Sequence, residues 1–418
     1  MSYNILMIAP TSFFGDYGCH VRILEEARVL QRRGHHVTIV TYYKGRDLPE
    51  LDIVRTRPTP WHANYEVGSS RHKLAFDALL SWTSFKTARQ MKPDIIHAHL
   101  HEGALIGRLL SSLTGAPLVF DYQGSLTAEM LDHHFVRAGG KREWFWQRLE
   151  NAIDRMPRAI LTSSRHSAQL LREKLQAKAN RVVAMPDCVD TEFFRPCTDD
   201  DQADVDAIKD RLGIPRDRVV VIYLGLLAHY QGTSHIIEAA KRVIDVQPNA
   251  HFLVMGYPGY DEYRARAEQL GVGDHTTFTG RVPYEEAARY LRVGDIALAP
   301  KLSLTEGAGK ILNYMACGLP TIAFETQVAR EYMANLGVYA ERGSADSLAD
   351  RVIELMANPD RRQSLGQALR ARAIKRFGWD EAARKILAVY EAVRAPLPEL
   401  RAAKLSQLQE VDHARETH

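Results

Sequence analysis

The sequence predicts an α/β protein made of two facing, doubly wound domains with a cleft between them. Its 418 residues exceed what one ordinary hydrophobic core holds, so two domains are expected. Short apolar runs alternate with helical patterns in two successive series, and a Pro- and Asp-rich connector near residues 186–208 separates the two series. Because parallel strands need crossover helices, this alternation indicates one parallel sheet in each half.

Each strand is predicted from an apolar run between turn residues. The first half has such runs at residues 5–9, 37–41, 94–98, 118–120, 159–162 and 182–185, and the second at 219–225, 251–256, 276–279, 296–299 and 321–324. Amphipathic helices lie between several of them, for example over residues 20–33. In facing domains of this kind the strand ends and their loops lie along one shared cleft, where we expect the functional residues.

Composition excludes several classes of protein. An apolar fraction of 45% and a charged fraction of 25% are typical of a soluble globular protein, and the formal charge of +3 gives no nucleic-acid footprint. The four cysteines form no C-x-x-C pair, which argues against structural zinc and fits a reducing cytoplasm. The amino terminus has no signal-peptide pattern, and no apolar run approaches the roughly 20 residues that span a bilayer. We therefore expect a cytoplasmic protein whose membrane contact, if any, is peripheral.

The stretch "TEGAGK" at residues 305–310 has the ingredients of an anion site. Gly307 and Gly309 let backbone N–H groups approach a ligand closely, and a helix predicted to begin near Lys310 offers its positive end. Lys310 adds a charge at the same place. The plainer alternative is a tight turn between a strand and a helix.

A comparable loop near the amino terminus contains Gly15 and Gly18 before a helix. It does not match G-x-G-x-x-G, and Thr41 and Tyr42 stand where a dinucleotide site would place an acidic residue. A nicotinamide or flavin site is therefore not supported, and the chain has no Walker motif. We predict no cofactor.

Six segments, taken in order, resemble the retaining glycosyltransferases of family 4, which have the GT-B fold of two Rossmann-like domains. They are "QRRGHHVTIVT", "KPDIIHAH", "MPDCVDTEFFRP", "FTGRVPYEEAARYLRVGDIALAP", "SLTEGAGKILNYMACGLPTIAF" and "RFGWDEAARKILAVYEAV". The resemblance covers roughly residues 3–396. It implies an acceptor-side domain over 1–190, a connector over 191–212, a donor-binding domain over 213–377, a terminal helix crossing back over 378–396, and a charged tail over 397–418 that we expect to be frayed.

The resemblance also implies the site residues. Glu306 matches the family glutamate that contacts the sugar hydroxyls, and Gln123 and Asp121 complete the predicted catalytic set. The predicted donor-binding residues are Gly15, Gly18, Gly225, Gln231, Arg281, Val282, Gly307, Ala308, Gly309, Lys310 and Asn313.

Two departures from the family pattern concern the donor. Asn313 stands where a second glutamate usually holds the ribose, and an amide makes weaker hydrogen bonds than a carboxylate. Leu226 and Gln231 stand where the family usually has an Arg and a Lys for the diphosphate. Each charge-assisted hydrogen bond is worth about 1.5–3 kcal/mol, so the loss needs a replacement. We expect Lys310 to supply it, with His229 or Arg281 nearby.

Another departure concerns catalysis. Gln123 falls where family members often have a histidine, and it cannot act as an acid or a base. Asp121 and Asp16 are the neighbouring carboxylates. In the first loop, Tyr17-Gly18 replaces the usual pair of glycines.

The resemblance implies metal-independent transfer of a hexose or N-acetylhexosamine from a UDP- or GDP-type sugar by front-face attack. Two alternatives remain: a catalytically silent glycosyltransferase-like binding subunit and a GT-B sugar-nucleotide epimerase. Two patterns could hold a metal. Asp199–Asp201 with Asp204 is interpreted as a solvated linker, and the alternating His97, His99 and His101 lack a fourth ligand besides Glu102.

The acceptor side has a basic and aromatic stretch. Residues 137–181 hold eleven Lys or Arg against four Asp or Glu, and "KREWFWQRLENAI" combines cations with Trp144 and Trp146. Helices that lie on membrane surfaces have this composition. The alternative is a core-packed Trp pair with a solvated basic face. The acceptor is expected to be lipid-linked, a glycan or a small molecule, and peripheral contact with the inner face of the cell membrane follows from the first interpretation.

Overall fold

The structure is a computed structural model that describes residues 2–16, 18–59, 73–132, 136–304 and 307–414. It contains two sheets in which every strand pairs parallel to its neighbours, and helices lie between all successive strands of a sheet except the second and third strands of the chain. The predicted α/β architecture with two doubly wound domains is confirmed.

The first sheet has seven strands in the order β3-β2-β1-β4-β5-β6-β7. The strands are β1 Asn4–Ala9, β2 His36–Thr41, β3 Asp52–Arg55, β4 Ile95–His99, β5 Leu118–Tyr122, β6 Ala159–Thr162 and β7 Val182–Ala184. The helices of this half are α1 Gly18–Arg32, α2 Lys73–Met91, α3 Leu100–Thr114, α4 Leu126–Asp132, α5 Lys141–Asp154 and α6 Arg165–Leu175.

The second sheet has six strands in the order β10-β9-β8-β11-β12-β13. The strands are β8 Val219–Leu224, β9 Ala250–Met255, β10 Thr276–Gly280, β11 Ile296–Ala299, β12 Thr321–Phe324 and β13 Val338–Ala340. The helices are α7 Gln202–Leu212, α8 Thr233–Val246, α9 Tyr260–Gln269, α10 Tyr284–Leu291, α11 Gly309–Ala316, α12 Gln327–Met333, α13 Ala345–Met356 and α14 Pro359–Arg376.

The two strands that the sequence did not predict are the edge strands β3 and β13. β3 has four residues, three of them only half-buried, and β13 has three residues. The predicted strands, in contrast, lie mostly inside the sheets and are buried on both faces, as β9 is along its whole length. Because a strand covered on both faces needs an unbroken apolar run, the inner strands are visible in sequence and the short edges are not.

Two carboxyl-terminal helices pack on the amino-terminal half. Helix α15 (Trp379–Arg394) lies against α1, and the Tyr390 hydroxyl is 2.7 Å from Nδ1 of His97 in β4. Helix α16 (Pro398–Ala414) packs alongside β7, the outer strand of the first sheet. There Gln409 Nε2 donates to the Val182 carbonyl at 2.7 Å. The prediction of a frayed tail is therefore wrong for residues 398–414, because α16 packs along the edge of β7 and buries Leu405, while residues 415–418 lie outside the described residues.

The connector between the halves is also more ordered than predicted. Asp201 is buried, and its carboxylate accepts hydrogen bonds from Arg195 at 2.6 and 3.0 Å and from Arg292 at 2.8 Å. Asp204 pairs with Arg289. The interpretation of these aspartates as a solvated linker is wrong for Asp201 and Asp204, because protein cations hold both carboxylates.

The terminal helix makes a testable contribution to stability. Replacing Tyr390 by Phe removes the hydroxyl partner of His97, whose ring is fully buried. We expect Tyr390→Phe to lower the free energy of unfolding by about 1–3 kcal/mol, because a buried polar atom loses its hydrogen bond. Urea unfolding measures the change. Tyr260→Phe is the matched control, since the Tyr260 hydroxyl makes no hydrogen bond with a described residue, and equal stability losses in the two variants would contradict the assignment.

Candidate functional site

Loops at the carboxyl ends of both sheets line one open cavity of about 350 Å³. The amino-terminal wall comes from the loops after β1, β4 and β5, and the carboxyl-terminal wall from those after β8 and β9 and from the start of α11. These loops meet because parallel strands all end at the same edge of their sheet. Most of the predicted site residues lie on these walls: Gly18, Gln123, Gly225, Gln231, Val282, Gly307, Ala308, Gly309, Lys310 and Asn313.

Helix α11 begins at Gly309, one residue before the predicted start. Its buried residues, which include Ile311, Leu312 and Met315, anchor it in the core, so its amino-terminal end is fixed at the cavity. Gly307 has no room for a Cβ atom, which would collide with the carboxylate of Asp187. The glycine is required here because the loop passes directly over a side chain from the other half of the protein.

Lys310 is held at the centre of the carboxyl-terminal wall. Its Nζ donates to the Tyr223 hydroxyl and to Gln231 Oε1, both at 2.9 Å, and lies 4.2 Å from the centre of the Tyr223 ring. A Cβ atom on Gly225 would lie 2.7 Å from the same Nζ. The lysine therefore reaches the loop after β8, the segment in which the family's Arg and Lys are replaced by Leu226 and Gln231.

A second lysine at this wall was not predicted. Lys301 follows β11, lines the cavity, and donates from Nζ to the Gly307 carbonyl at 2.7 Å. Its position immediately after a buried strand and before the glycine loop was the signal that could have identified it.

Arg281 has a different place from the one expected. Its Nε donates at 2.8 Å to Asp16, a residue of the opposite wall, and the backbone N–H of Tyr284 donates to the same carboxylate at 2.9 Å. Arg46 also reaches Asp16, at 3.3 Å, and pairs with Glu285 at 2.9 Å. Arg281 thus forms an ion pair across the cleft. Its guanidinium, which we expected near the diphosphate, is paired with Asp16 instead.

Gly15 lies just behind the cleft wall. Its N–H donates to Nδ1 of the buried His20 at 2.7 Å, so that nitrogen carries no proton. Burial lowers the pKa of His20 to about 3, and the nearby Arg281 acts in the same direction. The neutral imidazole of His20 therefore holds the loop after β1 in place through the Gly15 N–H.

Gln123 and Asp121 are neighbours, but only Gln123 lines the cavity. Gln123 Nε2 donates to Asp121 Oδ2 at 2.8 Å. Asp121 is fully buried, and although burial opposes its ionisation, the Arg22 guanidinium and His99 hold the pKa of its carboxyl well below the usual range. This geometry favours a positioning role for Asp121 over the catalytic role that the sequence predicted.

Arg22, which lines the cavity from the amino-terminal wall, is another residue that sequence reasoning missed. Its guanidinium lies 2.8 Å from Asp121 and 3.0 Å from Asp187, and Tyr332 donates to the other oxygen of Asp187 at 3.2 Å. Asp187 also lies against Gly307 of the carboxyl-terminal wall. Through Asp187, Arg22 of the amino-terminal wall is therefore connected to the loop before α11. The signal was a lone arginine between Val21 and Ile23 in an amphipathic helix.

The three histidines of the "HAHLH" segment do not converge. His97 and His99 stack at 4.7 Å with Glu26 close by, and Arg22 Nε lies 3.1 Å from Glu26. His101 turns toward Glu150 and Asp154 instead. Lys174 lies 2.9 Å from both of those carboxylates. In the part of the chain that the structure describes, a protein cation therefore neighbours both clusters that could hold a metal ion.

Two further predictions have different outcomes. Glu306 lies outside the described residues, so its predicted contact with the donor sugar stays a prediction. In α5, Trp144 is exposed, whereas Trp146 is half-buried against a small cluster of Leu126, Met130 and Val136. Phe145, not Trp146, is the second exposed aromatic residue of this helix.

Two family models match consecutive parts of the chain. One, described as "Glycosyl transferase 4-like domain", covers residues 17–188, and the other, "Glycosyl transferases group 1", covers residues 204–372. The two matches fall on the two sheets whose facing loops form the cleft.

Relatives and a solved structure agree with these matches. The chain is 27% identical to a D-inositol 3-phosphate glycosyltransferase of Acidothermus cellulolyticus, over 94% of this chain and 88% of that protein. It is 24% identical to a phosphatidyl-myo-inositol mannosyltransferase of Mycobacterium leprae, over 93% and 97%. The fold is similar to that of Anabaena Alr3699/HepE, solved in complex with UDP, with a TM-score of 0.72 and 16% identity over 93% of this chain and 100% of that one. The protein is a divergent member of glycosyltransferase family 4 with the GT-B fold, a glycosyltransferase that uses nucleotide sugars.

Proposed function

We propose that the protein transfers a hexose or N-acetylhexosamine, with retention and without a metal, from a UDP- or GDP-type sugar. The acceptor is lipid-linked, a glycan or a small molecule. The observation that carries this proposal is the position of Lys310, whose Nζ lies beside Gly225 and Gln231 at the loop after β8.

The diphosphate is assigned to the space between that loop and the start of α11. Lys310 provides a fixed charge, Lys301 a second one, and the positive amino-terminal end of α11 lies at the same cavity. Two lysines at the α11 loop thus stand in for the Arg and Lys that the β8 loop lacks.

The rest of the donor follows from the family resemblance. Asn313 lines the cavity four residues into α11 and is assigned to the ribose, and Val282 to the neighbourhood of the base. Glu306 is assigned to the sugar hydroxyls. The HepE complex with UDP and the mannosyltransferase relative support a donor of the nucleotide-diphosphate sugar class.

The acceptor is assigned to the amino-terminal wall. Gln123, Ser125 and His101 line it beside an ion pair of Lys73 with Glu102 at 2.5 Å. In front-face transfer the acceptor hydroxyl approaches on the side that the diphosphate leaves, and the leaving phosphate takes its proton. This chemistry needs a site that binds the phosphate anion and side chains that position the acceptor, but no protein nucleophile. A cleft that is lined by Gln123, with Asp121 buried behind it, is consistent with this requirement.

The proposed place of action is the cytoplasm, with peripheral contact at the inner face of the membrane. Among the described helices, none has the length and apolar character needed to cross a bilayer. The acceptors in the relatives' names include a phosphatidylinositol, which supports a lipid-linked acceptor as one member of the proposed class.

Lys310→Ala should weaken nucleotide binding. Removing the charge beside Gly225 takes away a charge-assisted hydrogen bond of about 1.5–3 kcal/mol, so the dissociation constant for the preferred nucleotide diphosphate should rise by about tenfold or more. Calorimetry measures the constant after a thermal-shift panel of UDP, GDP, ADP and TDP has identified that nucleotide. Lys375→Ala, on the exposed surface of α14, is the control. An unchanged constant would remove Lys310 from the diphosphate site.

Glu306→Ala should abolish turnover while leaving the fold intact. The loss of a carboxylate that holds the transferred sugar acts on the transition state, so kcat should fall by about a hundredfold or more while the thermal midpoint stays unchanged. Release of nucleotide diphosphate reports the rate. Glu325→Ala, an exposed glutamate after β12, is the control. Near-normal activity of Glu306→Ala would exclude Glu306 from the donor site.

Retention and metal independence have separate readouts. The anomeric configuration of the first product, followed by NMR, should equal that of the donor. Excess EDTA should leave the rate unchanged, because the proposed cradle uses Lys301, Lys310 and a helix end for the phosphate charge. An inverted product would contradict the mechanism, and a rate that EDTA lowers and Mg²⁺ or Mn²⁺ restores would contradict the metal-free cradle.

A further inference from the structure

Three neighbouring helices of the amino-terminal half expose an apolar surface. Helix α3 packs against both α2 and α5. Exposed residues at a spacing of four run along α2 and α3, and two aromatic residues are exposed at the start of α5. This surface, here called the three-helix face, consists of Leu74, Ala78 and Trp82 in α2, Leu105, Leu109 and Leu113 in α3, and Trp144 and Phe145 in α5.

The exposure is large for side chains of this kind. Leu74 is 83% exposed, Trp82 62%, Leu113 60% and Trp144 59%. A spacing of four residues places Leu105, Leu109 and Leu113 on one side of α3, so they form a continuous stripe. Single exposed apolar residues are ordinary, but contiguous stripes on adjacent helices mark a surface that binds something.

The charges on the same three helices have one sign. Every fully exposed ionisable residue of α2, α3 and α5 is a Lys or Arg: Lys86, Arg89, Arg108, Lys141, Arg142 and Arg148. The acidic residues of these helices are all at least partly buried, and several have partners in the protein. For example, Glu102 pairs with Lys73, and Lys174 pairs with Glu150 and Asp154. The three-helix face therefore presents apolar and cationic groups together.

A pocket of about 480 Å³ lies between the ends of α3 and α5 at the border of this face. Arg108, Arg155 and Arg158 line it around the apolar Leu118 and Met156. The hydrogen bonds of the three guanidinium groups with described residues go to Ser112 and to backbone carbonyls, and none goes to a carboxylate. Burial and the nearby Arg401 lower the pKa of Arg158, in keeping with an uncompensated positive cluster.

We propose that the three-helix face docks on a bilayer that contains anionic phospholipid, with a lipid phosphate in the arginine pocket. Leucine, tryptophan and phenylalanine enter the interface, and lysine and arginine contact the headgroups. A second copy of the chain does not fit, because a symmetric contact would bring the same uncompensated cations together. The sequence drew attention to α5 alone, and the structure adds α2, α3 and the pocket.

The position of the face relative to the cleft has a functional meaning. Leu74 follows Lys73, which lines the cavity, and α3 starts with Leu100, His101 and Glu102 on the same wall. A docked molecule therefore holds the acceptor side of its cleft at the lipid surface. This step rests on the proposed function, whereas docking itself does not involve the donor site.

The test is vesicle sedimentation of the full chain without donor or acceptor. Wild-type protein should sediment with phosphatidylcholine vesicles that contain phosphatidylglycerol, and should not sediment with phosphatidylcholine alone. Combining Leu105→Ser, Leu109→Ser and Leu113→Ser should weaken this binding by about tenfold or more, as should Arg108→Gln with Arg155→Gln. Ile374→Ser with Lys375→Gln, on the exposed side of α14, is the control and should bind like the wild type.

Each other outcome overturns the proposal. Equal sedimentation with neutral and anionic vesicles, or unchanged binding by both variants, would exclude the three-helix face. Loss with the arginine variant alone, together with competition by inorganic phosphate, would assign the pocket to a soluble anion. Self-association of the wild type that the leucine variant abolishes would make the face a contact between copies. Thermal shift with nucleotide diphosphates on the same preparations reports the donor site separately, so failure of docking and failure of the proposed transfer can be told apart.

Discussion

The buried guanidinium of Arg22 is the interaction on which the arrangement of the cleft depends. It lies among Glu26, Asp121 and Asp187, and these side chains belong to α1, to β5 and to the segment that leaves the first domain. Buried charges are tolerated only when they are paired, so removing Arg22 would leave the buried carboxylate of Asp121 without its cation. Because the Asp187 carboxylate also lies against Gly307, the same network helps to position the loop before α11 relative to the amino-terminal wall.

The proposed donor wall takes its positive charge from residues outside the loop after β8. The loop after β8 has Leu226 and Gln231 where two cations are usual, yet Lys310 reaches that loop from α11 and Lys301 approaches from the end of β11. In the proposed donor site, the positive charge is thus relocated from the end of β8 to the end of β11 and the start of α11. This relocation is possible because β8 and β11 are adjacent and parallel, so their carboxyl ends meet at one edge.

The sequence predicted the sheets, and most of its predicted site residues line the cleft, but it did not predict the pairing of charges. The inner strands and the glycine loops are visible because burial and close approach restrict the residue types at those positions. The partners of Asp16, Asp121 and Asp201 were not visible, because Arg281, Arg22 and Arg292 lie 265, 99 and 91 residues away along the chain. The exposed face of α3 was overlooked for a related reason: a leucine every four residues has the same pattern whether the stripe is buried or faces solvent.

The contact of Asp16 with Arg281 and Arg46 joins the two walls at the mouth of the cleft. Arg281 and Arg46 are each 44% exposed, whereas the Asp16 side chain is only 5% exposed, so solvent reaches the contact from the arginine side. Any opening of the cleft at its mouth has to break this contact, and the exposed arginines make that step easier than breaking a fully buried pair. The contact also makes the resting width of the cleft a property of the surrounding electrolyte, because dissolved ions screen this contact far more than they screen the Arg22 network beneath it.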